Sequence, residues 1–179
     1  EKNFSDACSR GTLEVHHADV RKLDLAKLGL VSHQFKVVAN IPYYLTGFLF
    51  RTILENSIQP NQLVFLVQKE VARRACSDIE RGEKESLLSI SIKIFGTPKY
   101  VKSVSRGHFD PPPKVDSAIM VVKDIHQLKP SVGSTDFVFA LLHKGFGQKR
   151  KQLLGNLKSM FATYTLEDAF GKLNIRLDI

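Results

Sequence analysis

Tryptophan is absent from the sequence, and cysteine and methionine are scarce, with two of each among 179 residues. Cys8 and Cys76 are too few and too isolated for a disulfide framework or a cysteine-based zinc site, so we expect two reduced thiols. No run approaches the roughly 20 apolar residues that a membrane helix needs, and no charged-then-apolar leader is recognisable. These absences exclude disulfide-rich secreted proteins and favour a cytoplasmic globular protein.

Acidic residues are also in the minority, with 18 Asp and Glu against 26 Lys and Arg, which gives a formal net charge of +8. This excess predicts an acidic partner, with nucleic acid ahead of an anionic membrane surface. His16 and His17 are adjacent, so their rings would point to opposite faces of a strand. We therefore expect no metal site.

Strand and helix patterns alternate through the first half of the chain. Apolar runs predict strands at residues 13–16, 36–41 and 62–67, with helical patterns at 19–30 and, capped by Thr46, at 46–55. This order predicts a βαβ unit and a parallel sheet. The run at 36–41 is apolar enough to be covered on both faces.

The second half changes character at a linker-like stretch, residues 129–134. Before it we predict helices at 69–76 and 87–95, an exposed loop at 77–85, and strands at 100–104 and 117–122 that pair antiparallel around a proline-rich stretch. After it we predict helices at 136–146, 149–161 and 166–173. The predicted domains are therefore residues 1–128 and a small helical domain, residues 129–179.

The first candidate site is the sequence VVANIPYY, in which an apolar run ends at Asn40, Pro42 and two tyrosines. Ligands of open α/β sheets bind beyond the carboxyl ends of the strands, which is where this stretch falls. The Asn40 amide and a carbonyl near Pro42 can accept hydrogen bonds from an exocyclic amine, while Tyr43 offers a ring for a base to stack on. The alternative is a strand-end turn with Tyr43 packed as a lid.

A second candidate is the stretch FDPPPKVDS, residues 109–117. Three consecutive prolines predict a stiff, extended loop, and rigidity alone would explain them. Such a loop would also hold Phe109 as a second stacking face opposite Tyr43.

Two weaker candidates involve charged residues. Asp19 follows a predicted strand and can accept from an adenine amino group or a ribose hydroxyl, or it can cap the next helix. Lys144, Lys149, Arg150 and Lys151 cluster at the predicted start of helix 149–161, where cations oppose the helix dipole. Phosphate binding would offset that cost, and a solvated charged face is the alternative.

Together these segments resemble the ribosomal RNA adenine N6-dimethyltransferase family. Residues 40–43 (NIPY) resemble its N-[LI]-P-Y motif, 66–71 (LVQKEV) its L-Q-K-E-V segment, and 109–117 its F-x-P-x-P-K-V-D-S loop. Residues 146–151 (FGQKRK) are similar to the F-x-x-R-R-K signature that opens its helical domain.

The resemblance implies a Rossmann-like S-adenosylmethionine-dependent methyltransferase sheet with a small C-terminal helical domain that engages RNA. It implies that Asn40 and the Pro42 region bind the target amino group, and that Tyr43 and Phe109 sandwich the adenine. Asp19, the Val20 backbone and Asn40 would hold the methyl donor. The RNA-binding set would be the four basic residues above and Lys114, with the immature small ribosomal subunit as partner.

One departure from the family pattern is the glycine-rich strand-to-helix turn, which we do not find before Asp19. We therefore expect this chain to be a fragment with half of the donor site, which binds S-adenosylmethionine poorly and is prone to self-association, whereas the intact protein would be a monomer. The alternatives are a large-subunit rRNA adenine methyltransferase of the macrolide-resistance type, an organellar DNA-associated transcription factor, or a non-catalytic RNA-binding module.

Overall fold

Four strands form a mixed sheet in the computed structural model, which describes residues 4–129, 131, 133–148 and 150–177. The strands are β1 (Lys36–Asn40), β2 (Gln62–Gln68), β3 (Thr97–Val104) and β4 (Ser117–Lys123). Their order is β1-β2-β4-β3; β1 and β2 are parallel, and the other two neighbouring pairs are antiparallel. The predicted parallel pair and the antiparallel hairpin are confirmed, although the sheet as a whole is mixed.

Helices connect these strands and follow them. They are α1 (Ser5–Ser9), α2 (Thr46–Leu54), α3 (Lys69–Ala75), α4 (Leu87–Lys93), α5 (Thr135–Phe146), α6 (Leu153–Leu157) and α7 (Thr163–Lys172). Helix α2 links β1 to β2, as the βαβ prediction required. The chain forms two compact units, Glu1–Leu30 and Val31–Ile179, and all four strands belong to the second.

The first unit corrects two sequence predictions. Residues 13–16 were expected to form a strand but have no regular structure, and Leu13 and Val15 are 37% and 54% exposed. An apolar alternation makes a strand only where another strand pairs with it and its apolar face is covered. The helix expected at 19–30 is reduced to a 3-10 turn, Val20–Lys22, and a further turn at residues 25–29.

Burial in the sheet follows strand position. In the central strand β2, Leu63, Phe65 and Val67 are fully buried. Strand β1 lies at the edge of the described sheet, and its Val38 is 76% exposed. The prediction that β1 is covered on both faces is therefore wrong in this structure, because no described element covers the face that carries Val38.

Helix α2 begins differently from the prediction. Its N-cap position is Leu45, and Thr46 is its first residue rather than its cap. The Thr46 hydroxyl donates to the Tyr43 carbonyl oxygen at 3.0 Å. A 3-10 turn, Tyr43–Leu45, leads directly into α2, so the side chain reaches back to that turn instead of accepting from the helix.

The last three helices share a small apolar cluster centred on Leu157, Leu166 and Phe170. Helix α5 also contacts the segment between α4 and β3, since the Phe139 ring lies 6.3 Å from that of Phe95. The long helix expected at 149–161 is wrong, because α6 covers only Leu153–Leu157. Gln152 has an extended backbone, ψ 146°, which breaks a helical run at that point. The domain boundary at residue 129 stays a prediction.

Candidate functional site

The carboxyl ends of β1, β2 and β3 lie at the same end of the sheet, which we call its carboxyl edge. Asn40 pairs with Leu66 near the end of β2, and Ser117, the first residue of β4, pairs with both Gln68 and Val104. The β3–β4 connection, residues 105–116, therefore begins and ends at this edge. The topology brings together the NIPYY stretch and the proline-rich stretch, which are more than 60 residues apart in sequence.

The NIPYY stretch is anchored to the sheet by its second residue. Ile41 is 2% exposed, and its N–H donates to the Leu66 carbonyl at 3.3 Å. Asn40, immediately before it, is exposed. A polar amide is thus held at the sheet edge by a buried neighbour, because the period of a strand places successive side chains on opposite faces.

The carbonyl groups of this stretch differ in their availability. The Pro42 carbonyl oxygen accepts from the Leu45 N–H at 2.9 Å, which closes the 3-10 turn. Among the described residues, none donates to the Ile41 carbonyl oxygen. The acceptor expected in the Pro42 region therefore corresponds best to the Ile41 carbonyl, a group that the sequence analysis did not single out by residue.

Tyr43 is held by hydrogen bonds of both its side chain and its main chain. Its hydroxyl lies 3.0 Å from the Ser117 hydroxyl, and its carbonyl accepts from Thr46 at 3.0 Å. Ser117 is 1% exposed, whereas Tyr44 is 82% exposed. The Tyr43–Ser117 hydrogen bond joins the NIPYY stretch to the end of the proline-rich connection, and Ser117 is a residue of this site to which the sequence analysis gave no role.

The base of the proline-rich connection is tied down by hydrogen bonds. The Asp116 carboxylate accepts from the Arg106 N–H at 3.1 Å, and the Asp116 carbonyl accepts from the Lys69 N–H at 3.0 Å. Phe109 is half-buried, and its N–H donates to the Arg106 carbonyl at 3.3 Å. The connection thus holds Phe109 at the edge shared with Tyr43, and a stacked pair of these two rings stays a prediction.

Asp19 lies in the first unit and caps the 3-10 turn Val20–Lys22. Its carboxylate accepts from the Arg21 N–H at 2.9 Å and from the Arg21 guanidinium, and these hydrogen bonds lower the pKa of Asp19 to about 2. The capping alternative is therefore observed. The carboxylate is ionised, and the Val20 N–H donates to no described acceptor. This donor–acceptor pair fits the amino group and ring nitrogen of an adenine.

The basic stretch after α5 has a different location from the one predicted. Lys144 lies in the last turn of α5, where a cation is favourable to the helix dipole. Arg150 and Lys151 are exposed in the connection between α5 and α6, and Lys149 lies outside the described residues. The argument that these cations oppose a helix start is therefore wrong for the three described ones, because Lys144 ends a helix and Arg150 and Lys151 precede α6 in the connection.

Asn156 of α6 holds this connection against the end of α5. Its side-chain amide donates to the Gly145 carbonyl at 2.9 Å and to the Gln148 carbonyl at 3.2 Å. Carbonyls at the end of a helix lack intrahelical partners, so a side-chain donor satisfies them. This role of Asn156 was not predicted, since nothing in the sequence around it indicates a side chain that caps the end of α5.

Cys8 and Cys76 are both unpaired, and burial raises the pKa of the Cys76 thiol to about 11. No cluster of three or more His, Cys, Asp or Glu able to hold a metal ion occurs in the ranges described. None of the helices described is both long and apolar enough to cross a membrane.

Known proteins resemble this chain along nearly its whole length. The family model described as ribosomal RNA adenine dimethylase matches residues 2–177. A Ribosomal RNA small subunit methyltransferase A of Dehalococcoides mccartyi is 38% identical over 142 residues, covering 79% of this chain and 47% of the relative. The protein of that name from Helicobacter hepaticus is 32% identical over 179 residues, covering 98% and 62%. The chain spans about half the length of the curated relatives it matches.

Solved structures with a similar backbone fold include a dimethyladenosine transferase and a 23S rRNA methyltransferase. A dimethyladenosine transferase from Plasmodium falciparum superposes with a TM-score of 0.70 at 28% identity, covering 94% of this chain and 58% of that one. The 23S rRNA methyltransferase ErmE superposes with a TM-score of 0.68, covering 99% and 69%. At 20% identity, the second likeness bears on the fold alone.

Proposed function

The chain belongs to the ribosomal RNA adenine dimethylase family, and on that premise we propose that it supplies the target-base pocket of an enzyme that dimethylates adenines of small-subunit ribosomal RNA at N6. The family and the α/β methyltransferase fold expected from the sequence are confirmed. One observation carries the proposal: Asn40, Tyr43 and the Phe109 connection meet at one edge of the sheet, joined by the Tyr43–Ser117 hydrogen bond.

The pocket would work by orienting the amine. The lone pair of an adenine amino group is delocalised into the ring, which makes the group a poor nucleophile. If the Asn40 side-chain oxygen and the Ile41 carbonyl each accept one of its N–H bonds, the lone pair is directed toward the methyl donor. Such positioning accelerates a reaction without a strong base. Tyr43 and Phe109 would hold the base after it leaves its stack.

The methyl donor implied by the family is S-adenosylmethionine, which supplies an electrophilic methyl group when bound. Asp19 and the Val20 N–H present an acceptor and a donor that match the adenine moiety of that compound, which is the fit that supports this part of the proposal. Asp19 shares its carboxylate with Arg21, and a carboxylate has lone pairs for more than one donor.

The RNA would be held by cations outside the pocket. Lys114, Lys144, Arg150 and Lys151 are all exposed, and Lys149 belongs to the same proposed set. Phosphate contacts of this kind position a strand without reading its sequence. The named relatives support the small subunit as substrate, and the large-subunit alternative has in its favour only a likeness of fold.

Methyl transfer to immature ribosomal subunits tests the function. The complete gene product, incubated with S-adenosylmethionine carrying a labelled methyl group and immature small subunits, should label small-subunit rRNA, and mass spectrometry should find N6,N6-dimethyladenine. Immature large subunits are the control. Label in the large-subunit rRNA alone would support the macrolide-resistance type, and RNA binding without label would support a non-catalytic module.

A further inference from the structure

A polar cleft of roughly 690 Å³ lies beside the proposed base pocket. The end of β2 and the start of α3 form one wall, and the two ends of the β3–β4 connection form the other. Its charged lining residues are Lys69, Glu70, Arg73, Arg106, Lys114 and Asp116. Four cations and two carboxylates give the cleft a net positive charge.

Some charged groups of the cleft have partners among its described residues, and others do not. The Asp116 carboxylate faces the Lys69 ammonium at 3.9 Å and accepts from the Arg106 main-chain N–H at 3.1 Å, while the Arg106 guanidinium donates to the Lys114 carbonyl at 3.5 Å. Arg73 and Lys114 are exposed, and neither forms an ion pair with a carboxylate in the part of the chain that the structure describes. Two cations are therefore available to an anion that enters.

The cleft and the base pocket share the same stretch of main chain. Asp116 lines the cleft, and Ser117, the next residue, is bonded to the Tyr43 hydroxyl at 3.0 Å. Consecutive Cα atoms are about 3.8 Å apart, so the wall of the cleft at Asp116 directly adjoins the residue that holds Tyr43. An RNA strand that places its base there must carry its phosphates past this wall.

We propose that this cleft binds a phosphodiester of the RNA strand next to the target adenosine, with Arg73 and Lys114 as its principal cations. The proposal rests on the proposed function for the identity of the strand. The contact is electrostatic and does not depend on which base follows, because phosphate groups carry no sequence information. Glu70, on the same wall, opposes the anion and weakens the contact.

Binding of this chain to a single-stranded RNA oligonucleotide of about ten nucleotides, measured over a salt series, tests the cleft. Arg73→Gln and Lys114→Gln should each weaken binding severalfold, and together about tenfold, and each should lower the salt slope by about 0.7. Glu70→Gln should strengthen binding. Lys123→Gln is the matched control, since Lys123 is exposed on β4 at the opposite edge of the sheet.

An oligonucleotide with one abasic site in place of the central adenosine separates this proposal from the function. The cleft variants should weaken the adenosine and abasic oligonucleotides by equal factors, whereas Tyr43→Ala should weaken only the first. Cleft variants that bind as Lys123→Gln does, or no RNA binding by the chain, would overturn the cleft. Equal affinity of the unaltered chain for both oligonucleotides would count against the base pocket alone. Lys114→Gln, in an exposed loop, keeps the test valid if Arg73→Gln unfolds.

Discussion

The sheet edge with the proposed base pocket and the basic connection after α5 are held in different ways. At the edge, Ile41 and Tyr43 are fixed by hydrogen bonds to β2 and to the buried Ser117. In the connection, Arg150 and Lys151 are exposed, and Asn156 of α6 ties the preceding carbonyls. The difference fits the roles proposed for the two regions, because a reaction on one atom needs fixed geometry, whereas attraction of a polyanion needs only charge.

Removal of the Asn40 amide should have the largest effect. Asn40→Ala in the complete gene product should lower the methylation rate roughly 100- to 1,000-fold, because one of two acceptors that orient the amine is lost. RNA affinity and the melting temperature should not change, since Asn40 is exposed. Initial rates at saturating RNA measure the effect.

Asn61→Ala is the matched control for Asn40, because Asn61 is exposed just before β2, at the opposite edge of the sheet. Its rate should equal that of the unaltered enzyme. An Asn40→Ala enzyme within a factor of three of the unaltered rate would remove Asn40 from the mechanism.

Loss of the basic charges should affect binding and leave chemistry unchanged. Replacement of Arg150 and Lys151 by Gln should weaken RNA binding about tenfold at moderate salt and lower the salt slope by about 0.7 for each charge. The rate at saturating RNA should stay the same. Titrations of labelled RNA at several salt concentrations measure both quantities, with Lys36→Gln as a control at the start of β1.

A drop in the saturated rate for the Arg150 and Lys151 variant would break the distinction between the two regions. It would mean that the connection places the strand in the pocket as well as attracting it.

Loss of the Tyr43 hydroxyl should destabilise the fold by about 1–2 kcal/mol, because the buried Ser117 hydroxyl loses a partner. Tyr43→Phe keeps the ring, so stacking on the base should survive. Urea unfolding of this chain measures the free energy. Tyr44→Phe is the control: Tyr44 is 82% exposed, and its change should be within about 0.5 kcal/mol.

A double-mutant cycle sharpens the Tyr43 prediction. The combined loss in Tyr43→Phe with Ser117→Ala should be smaller than the sum of the two single losses, because both variants remove the same hydrogen bond. Additive losses would show that the two hydroxyls do not stabilise each other.

Replacement of Asn156 should have the smallest effect. Asn156→Ala removes two hydrogen bonds to the carbonyls of Gly145 and Gln148 and should cost about 1 kcal/mol in stability. The loosened connection should weaken RNA binding by no more than about threefold, since exposed charges act at a distance. A tenfold loss in this variant, with the salt slope unchanged, would mean that the connection needs a fixed shape.

Local sequence patterns were sufficient to predict a strand or helix where the segment is buried or has a clear apolar period. Strand β2 and helices α3 and α7 were predicted within a few residues, because an apolar run or a 3.6-residue period reports burial directly. The strand at 13–16 was wrong because no described strand pairs with it, and the helix at 149–161 was wrong because the backbone at Gln152 is not helical. A visible signal was missed at α4, where Ser86 and Ser89 form a capping box.

Neither the Tyr43–Ser117 hydrogen bond nor the role proposed for the Ile41 carbonyl could be predicted from local sequence. Both depend on which strands are neighbours, and β4 inserts between β2 and β3 against the order of the chain. The same holds for the cleft, whose walls are more than 30 residues apart in sequence.

The sequence by itself determined the family, the α/β class and the residue types of the proposed base pocket, because these depend on short motifs and on burial periods within single segments. The tertiary structure decided which carbonyl is left to accept a hydrogen bond, which hydroxyl holds Tyr43, and where the cations of the cleft meet. Those properties are distances between segments far apart in the chain, and strand order and packing, which no single segment encodes, set such distances.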